Sequence, residues 1–156
     1  MPYPPLSSIV AVTGYSGGGH LGAWLIGNSS DRFRAAILEQ GVYNMTSAYG
    51  TSDAGGYFKY LMGGQPHEMP EKYWRYSPLA FAHRVTTPTL LIQGEEDRRC
   101  PMEQAEQYYT ALHRAGCTVE LFRLGHCSHA TEIVGSPHLR RARMDAVKDW
   151  LARHLG

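Results

Sequence analysis

Residues Thr13-Gly14-Tyr15-Ser16-Gly17-Gly18-Gly19-His20 set one serine among closely spaced glycines, in the pattern G-x-S-x-G. An apolar run, Ser8 to Thr13, leads into it, and a helix-compatible segment, Leu21-Gly22-Ala23-Trp24-Leu25-Ile26-Gly27, follows. A serine at a sharp strand-to-helix turn presents its hydroxyl for attack on a carbonyl carbon. Such a turn strains the backbone, so a side chain at Gly14 or Gly18 is expected to collide across it. The Gly17 N–H is expected to donate to the oxyanion that forms beside Ser16. A hydroxyl is a poor nucleophile without a general base, and the base needs a carboxylate to orient it. Two later stretches offer both. Thr89-Leu90-Leu91-Ile92-Gln93 runs into Gly94-Glu95-Glu96-Asp97-Arg98-Arg99-Cys100-Pro101, where three acids compete and Asp97, closing the turn before Arg98, is the expected one. Thr118-Val119-Glu120-Leu121-Phe122 is followed by Leu124-Gly125-His126-Cys127-Ser128-His129, where His129, deeper in the loop, is the expected base and His126 the reserve.

Other chemistries fit these residues less well. A glycine-rich loop before a helix can cradle a phosphate, but no G-x-G-x-x-G with a later acid at a strand end accompanies this one. His126 and His129, with Cys117 and Cys127 nearby in sequence, suggest a metal-dependent hydrolase as an alternative. The His-x-x-His spacing alone is not a standard zinc pattern and the cysteines are not paired, so no metal or other cofactor is expected. Cys127 follows a strand with no helix N-terminus to lower its pKa, which argues against a thiol nucleophile.

The elements that must position these groups are legible as a rhythm. Four β-rich runs, Ser8–Thr13, Arg34–Leu38, Thr89–Gln93 and Thr118–Phe122, alternate with helical patterns. The first and third are apolar on consecutive residues, as in parallel strands covered on both faces. Between Pro101 and Ala115, the residues Met102, Ala105, Tyr109 and Leu112 form a helical stripe, with Pro101 at its start and Gly116 as its cap. Met144, Val147, Leu151 and Leu155, with Trp150 beside them, repeat the pattern in the tail. The fold class is therefore α/β, with a mainly parallel sheet of about four strands and flanking helices. The tyrosine-rich stretch from Gly41 to Thr87 breaks the rhythm and predicts about two short helices; long excursions of this kind tend to serve function.

Composition excludes several classes. Hydrophobic residues make up 43% and charged residues 19% of the 156-residue chain, the balance of a globular domain rather than of a disordered or coiled-coil segment. Fifteen basic against fourteen acidic residues leave +1, with no basic block to meet nucleic acid. No apolar run approaches the ~20 residues of a membrane span, and the opening residues lack a signal-peptide layout. The three cysteines are an odd number, so at least one thiol is free and a cytoplasmic location is expected.

From about Ile9 onward the chain resembles the C-terminal part of the catalytic domain of the prolyl oligopeptidase (S9) family, in the manner of its acylaminoacyl-peptidase and dipeptidyl-peptidase-like members. The matching stretches are Val12-Thr13-Gly14-Tyr15-Ser16-Gly17-Gly18, Tyr49-Gly50-Thr51-Ser52-Asp53, Pro70-Glu71-Lys72-Tyr73-Trp74, Ser77-Pro78-Leu79, and Gly94-Glu95-Glu96-Asp97 followed by Arg99-Cys100-Pro101. The resemblance implies a truncated α/β-hydrolase fold over residues 1–156, without the N-terminal strands or propeller of the family. It implies Ser16 as nucleophile, Asp97 as orienting acid and His129 as base, with Gly125 displaced by one residue from the family pattern before the histidine. Val42 and Met45 match positions that line the family's apolar acyl pocket. The function so implied is cleavage of an acyl bond in a short peptide, an N-acyl amino acid or a small ester; the alternative is a non-catalytic or incomplete fragment of such a hydrolase that needs a partner. Without its usual neighbours the first strand would be a sheet edge, so the expected partner is a second copy of the chain, besides the small substrate.

Overall fold

The computed structural model describes residues 10–130 and 135–156. Its two inner strands, β2 (Ala35–Glu39) and β3 (Thr89–Gly94), are buried at every position. Alternate side chains on them enter two different cores, which is why the sequence is continuously apolar there. Ala36, Leu38 and Leu91 pack with Ala23, Ile26, Tyr108 and Leu112 on one face. Ala35, Ile37, Leu90 and Ile92 pack with Leu124 and Trp150 on the other. β1 (Ala11–Tyr15) and β4 (Val119–Leu124) flank them, giving the order β1-β2-β3-β4 with every pairing parallel. The helices α1 (Gly17–Asn28) and α5 (Met102–Arg114) cover the first face, and the C-terminal helix α6 (Pro137–Leu155) covers the second. This is the α/β architecture that the strand–helix rhythm predicts.

Three details differ from the sequence reading. The first strand runs on to Tyr15, because Gly14 and Tyr15 still pair with Leu38 and Glu39; the sharp turn begins only at Ser16. Ser8 and Ile9, expected in that strand, lie outside the described residues. On α5 the buried stripe passes through Ala105, Tyr108 and Leu112 rather than Tyr109, and Tyr108 stacks on Tyr43 at 4.6 Å between ring centres. Gln104, also buried, turns the stripe because its Oε1 accepts from the N–H groups of Tyr43 (2.9 Å) and Asn44 (2.8 Å). On α6 Trp150 is the fully buried residue, while Met144 is 51% exposed.

The excursion between β2 and β3 holds three α-helices, α2 (Met45–Thr51), α3 (Gly55–Met62) and α4 (Pro70–Arg75), and a 3₁₀ segment, Pro78–Arg84. That is more helix than the two short elements expected. Asn44 starts α2 by accepting from the N–H groups of Thr46 (3.1 Å) and Ser47 (3.3 Å), satisfying donors that a helix start leaves open. These helices close over a third apolar cluster that includes Val42, Met45, Phe58, Tyr73 and Cys100. No helix among the described residues is long and apolar enough to cross a membrane.

Candidate active site

β1 ends at Tyr15 and α1 begins at Gly17, so the whole reversal falls on Ser16, at φ 56° and ψ −117°. A side chain in that conformation is costly unless its surroundings hold it. They do: the Ser16 N–H donates to Glu39 O on the neighbouring strand (2.8 Å), and Ser16 O accepts from His20 N–H to open the helix (3.0 Å). The turn is tight enough that a Cβ on Gly14 would overlap the Gly18 carbonyl. Gly18 itself corrects the sequence reading, because a Cβ there meets open space. The collision is one-sided, since Gly18 lies in the first turn of α1 with its Cβ direction outward. The Gly17 N–H, beside Ser16 at the helix start, is one of the donors that have no acceptor within the helix.

Asp97 closes the turn after β3 and is buried. Its Oδ1 accepts from the N–H groups of Arg99 (2.8 Å) and Cys100 (2.9 Å), which fixes the carboxylate plane. Its Oδ2 lies 2.8 Å from His129 Nδ1 and 3.2 Å from Gln93 Nε2, which donates to it. His129 follows β4, and its Nε2 lies 2.9 Å from Ser16 Oγ. Residues from the ends of three different strands thus meet at one sheet edge, the arrangement open α/β sheets use for ligands.

The loop bearing His129 is tied down by backbone contacts. Glu96 N–H donates to Cys127 O (2.9 Å), and Gln40 Nε2 donates to Ser128 O (3.1 Å). Gly94 is required at that crossing, because a Cβ would overlap the Cys127 carbonyl. The backbone of this loop takes a left-handed turn at His126, whose φ is 56°. Its ring is 95% exposed and pairs with Glu96 at 3.1 Å, while Glu95 pairs with Arg123 at 2.9 Å. The reserve histidine and the two competing acids therefore turn to other partners. Among the described residues no group of three His, Cys, Asp or Glu side chains could hold a metal ion.

Beside Ser16 opens a cavity of about 190 Å³, whose walls include Gly17, His20, Val42, Met45, Phe58 and Leu61. Val42 and Met45, expected to line an acyl pocket, are both there. Cys100 also reaches this wall; burial, and then the Asp97 charge, push its thiol up to about 12, so it is protonated. Arg99 stands at the opening, its Nε donating to Asp53 at 2.6 Å. A larger, open depression of about 710 Å³ runs along α6 past Arg140 and Lys148 and contains none of these groups. Sequence reasoning missed Gln93, Gln40 and His20. All three are polar residues near the ends of elements, a placement too common to mark a site by itself.

The family model described as Prolyl oligopeptidase family matches residues 7–156. The uncharacterized peptidase YuxL of Bacillus subtilis is 38% identical over 94% of this chain and 22% of its own length. The human acylamino-acid-releasing enzyme is 33% identical over 96% of this chain and 21% of its own. Among solved structures, the acylaminoacyl peptidase of Pyrococcus horikoshii superposes with a TM-score of 0.89 at 33% identity, over 96% of this chain and 24% of that one. The chain thus spans about a fifth to a quarter of the length of the relatives it matches. With nearly every residue matched, and with the strands and the turn at Ser16 in place, this chain belongs to the prolyl oligopeptidase family.

Proposed function

We propose that this chain is a serine hydrolase module that cleaves acyl bonds through Ser16, His129 and Asp97. The reading rests on the unbroken line of hydrogen bonds from Asp97 through His129 to Ser16, at 2.8 and 2.9 Å. His129 Nε2 takes the hydroxyl proton as Ser16 Oγ bonds to the acyl carbon, and Asp97 stabilises the imidazolium that forms. The Gly17 N–H donates to the resulting oxyanion. Collapse of the tetrahedral species breaks the bond to the leaving group, to which His129 returns the proton, and leaves an acyl-Ser16 ester. Water, deprotonated by the same histidine, then hydrolyses that ester. Val42 and Met45 favour an apolar acyl group, and relatives named acylamino-acid-releasing enzymes favour an N-acyl amino acid or short peptide, with small esters as the simplest substrates. Three free, buried thiols are compatible with a reducing, cytoplasmic setting.

A fluorophosphonate is expected to label the native chain at Ser16 and not the Ser16→Ala variant. Hydrolysis of a short-chain nitrophenyl ester is expected to fall on the order of 10⁶-fold in that variant, to background. Unchanged turnover after Ser16→Ala refutes the assignment. A second reading is a non-catalytic or incomplete fragment: the chain spans about a fifth of the length of its curated relatives, and the Gly17 N–H is the one oxyanion donor identified among the described residues. A missing donor costs about 100- to 1000-fold in rate. Labelling at Ser16 with slow turnover identifies the incomplete case; no labelling at all refutes the hydrolase reading and leaves the non-catalytic one standing.

A further inference from the structure

Among the residues lining the cavity beside Ser16 is a histidine that the acyl-transfer chemistry leaves unused. His20 lies one helical turn beyond Ser16, and its Nδ1 sits 2.7 Å from Val42 O. A carbonyl oxygen can only accept, so Nδ1 carries the hydrogen and the neutral ring presents Nε2 as a bare acceptor. Burial holds the His20 pKa below its ordinary value, outweighing the hydrogen bond to Val42, so the ring is neutral at neutral pH. Nε2 has no hydrogen bond among the described residues, yet it is not one of the sealed-off polar atoms. Among the described residues no group of the surrounding wall donates to it. Val42, Met45, Phe58 and Leu61 are apolar; the Tyr57 hydroxyl, the Cys100 thiol and the Gly17 N–H also line the cavity, and Arg99 Nε donates to Asp53. An unpaired acceptor in a largely apolar pocket is satisfied when a substrate donor meets it and is left dry when an apolar group fills the space.

We propose that His20 is a specificity-determining residue of this cavity: Nε2 accepts a hydrogen bond from a hydroxyl on the acyl-side (P1) side chain of the substrate, so the site prefers hydroxyl-bearing acyl groups over their apolar isosteres. The proposal rests on the reading that Ser16 acylates here and deepens it to a substrate class. A neutral hydrogen bond of this kind corresponds to about 3- to 10-fold in kcat/KM.

The test compares nitrophenyl esters of N-acetyl-tyrosine with N-acetyl-phenylalanine, and of N-acetyl-threonine with N-acetyl-valine, on the full chain. The expected result is a 3- to 10-fold preference for the hydroxyl member of at least one pair. That ratio falls to about one in His20→Phe and is retained in His20→Gln, whose amide oxygen can take the place of Nε2. A ratio of one in both pairs for the native chain overturns the proposal, as does a ratio that survives His20→Phe. Should His20→Phe fail to fold, ¹⁵N NMR of the native imidazole decides: a protonated Nδ1 with a bare Nε2 supports the proposal, and a protonated Nε2 overturns it. Fluorophosphonate labelling of Ser16 is read separately. Its absence overturns the hydrolase reading and this one with it, whereas labelling without a substrate preference overturns this one alone.

Discussion

Asp97 faces four donors, two backbone N–H groups on one oxygen and the His129 and Gln93 side chains on the other. Gln93 is fully buried, and its Nε2 also donates to Cys100 O at 2.7 Å, while its Oε1 has no partner among the described residues. Its role is to hold the carboxylate against which His129 is aligned. A hydrogen bond to a charged group is worth about 1.5–3 kcal/mol, so Gln93→Leu is expected to lower kcat by roughly 10- to 100-fold with KM little changed. Stability should also fall, by about 1–3 kcal/mol, because the leucine leaves the buried Cys100 carbonyl without its donor, offset in part by removal of an oxygen that is already unpaired. Steady-state kinetics beside a urea unfolding curve check this, and a variant with native kcat refutes the positioning role. Ser16, Asp97 and His129 could be picked out in the sequence because each follows an apolar run at a strand end. Gln93 could not: as the last polar letter of such a run it reads as the strand's fraying end, and only the folded turn brings Asp97 back over it. His20 was hidden for a related reason, since its tautomer is set by Val42 O, which lies 22 residues away.

At the scale of elements, the turn between β1 and α1 is the most constrained piece of backbone in the site. Gly14→Ala would drive a Cβ into the Gly18 carbonyl, and neither backbone can yield without moving Ser16. A loss of about 3 kcal/mol or more is expected, above the usual range for overpacking because the clash is with backbone. Gly18→Ala meets open space and places a better helix former in the first turn of α1, so stability should hold or rise by up to ~1 kcal/mol. Urea midpoints of the two variants at constant m test the contrast; equal destabilisation would refute the one-sided collision. The pattern G-x-S-x-G alone made both glycines look necessary, because a spacing carries no Cβ directions. The strands and the long helices were legible because burial on both faces writes itself as consecutive apolar residues. α2, α3 and α4 were legible only as about two short helices without bounds, since each is at most eight residues long and packs into the shared cluster around Met45, Phe58 and Tyr73.

At the scale of the molecule, β1 pairs with β2 on one side and with no strand among the described residues on the other. It carries neither Lys nor Pro between Ala11 and Tyr15, the residues that commonly blunt an exposed edge. α1, which follows it, leaves Leu21 61%, Trp24 39% and Leu25 41% exposed, so apolar surface continues from the edge onto a helix. An edge strand next to exposed apolar side chains favours pairing with another strand. A two-fold arrangement would set β1 of one copy against β1 of a second, antiparallel, and extend both sheets with the same residues on each side. We therefore expect the 156-residue chain to self-associate through β1. Sedimentation velocity at tens of micromolar should give a species heavier than the 17.4 kDa monomer. Thr13→Lys should return it to monomer, because Thr13 is exposed on that edge and a lysine there adds charge without disturbing the core. A folded native chain that sediments as a monomer refutes the expectation. So does a Thr13→Lys variant that stays associated, which would shift the contact to the exposed face of α1, where Trp24→Glu is the corresponding test.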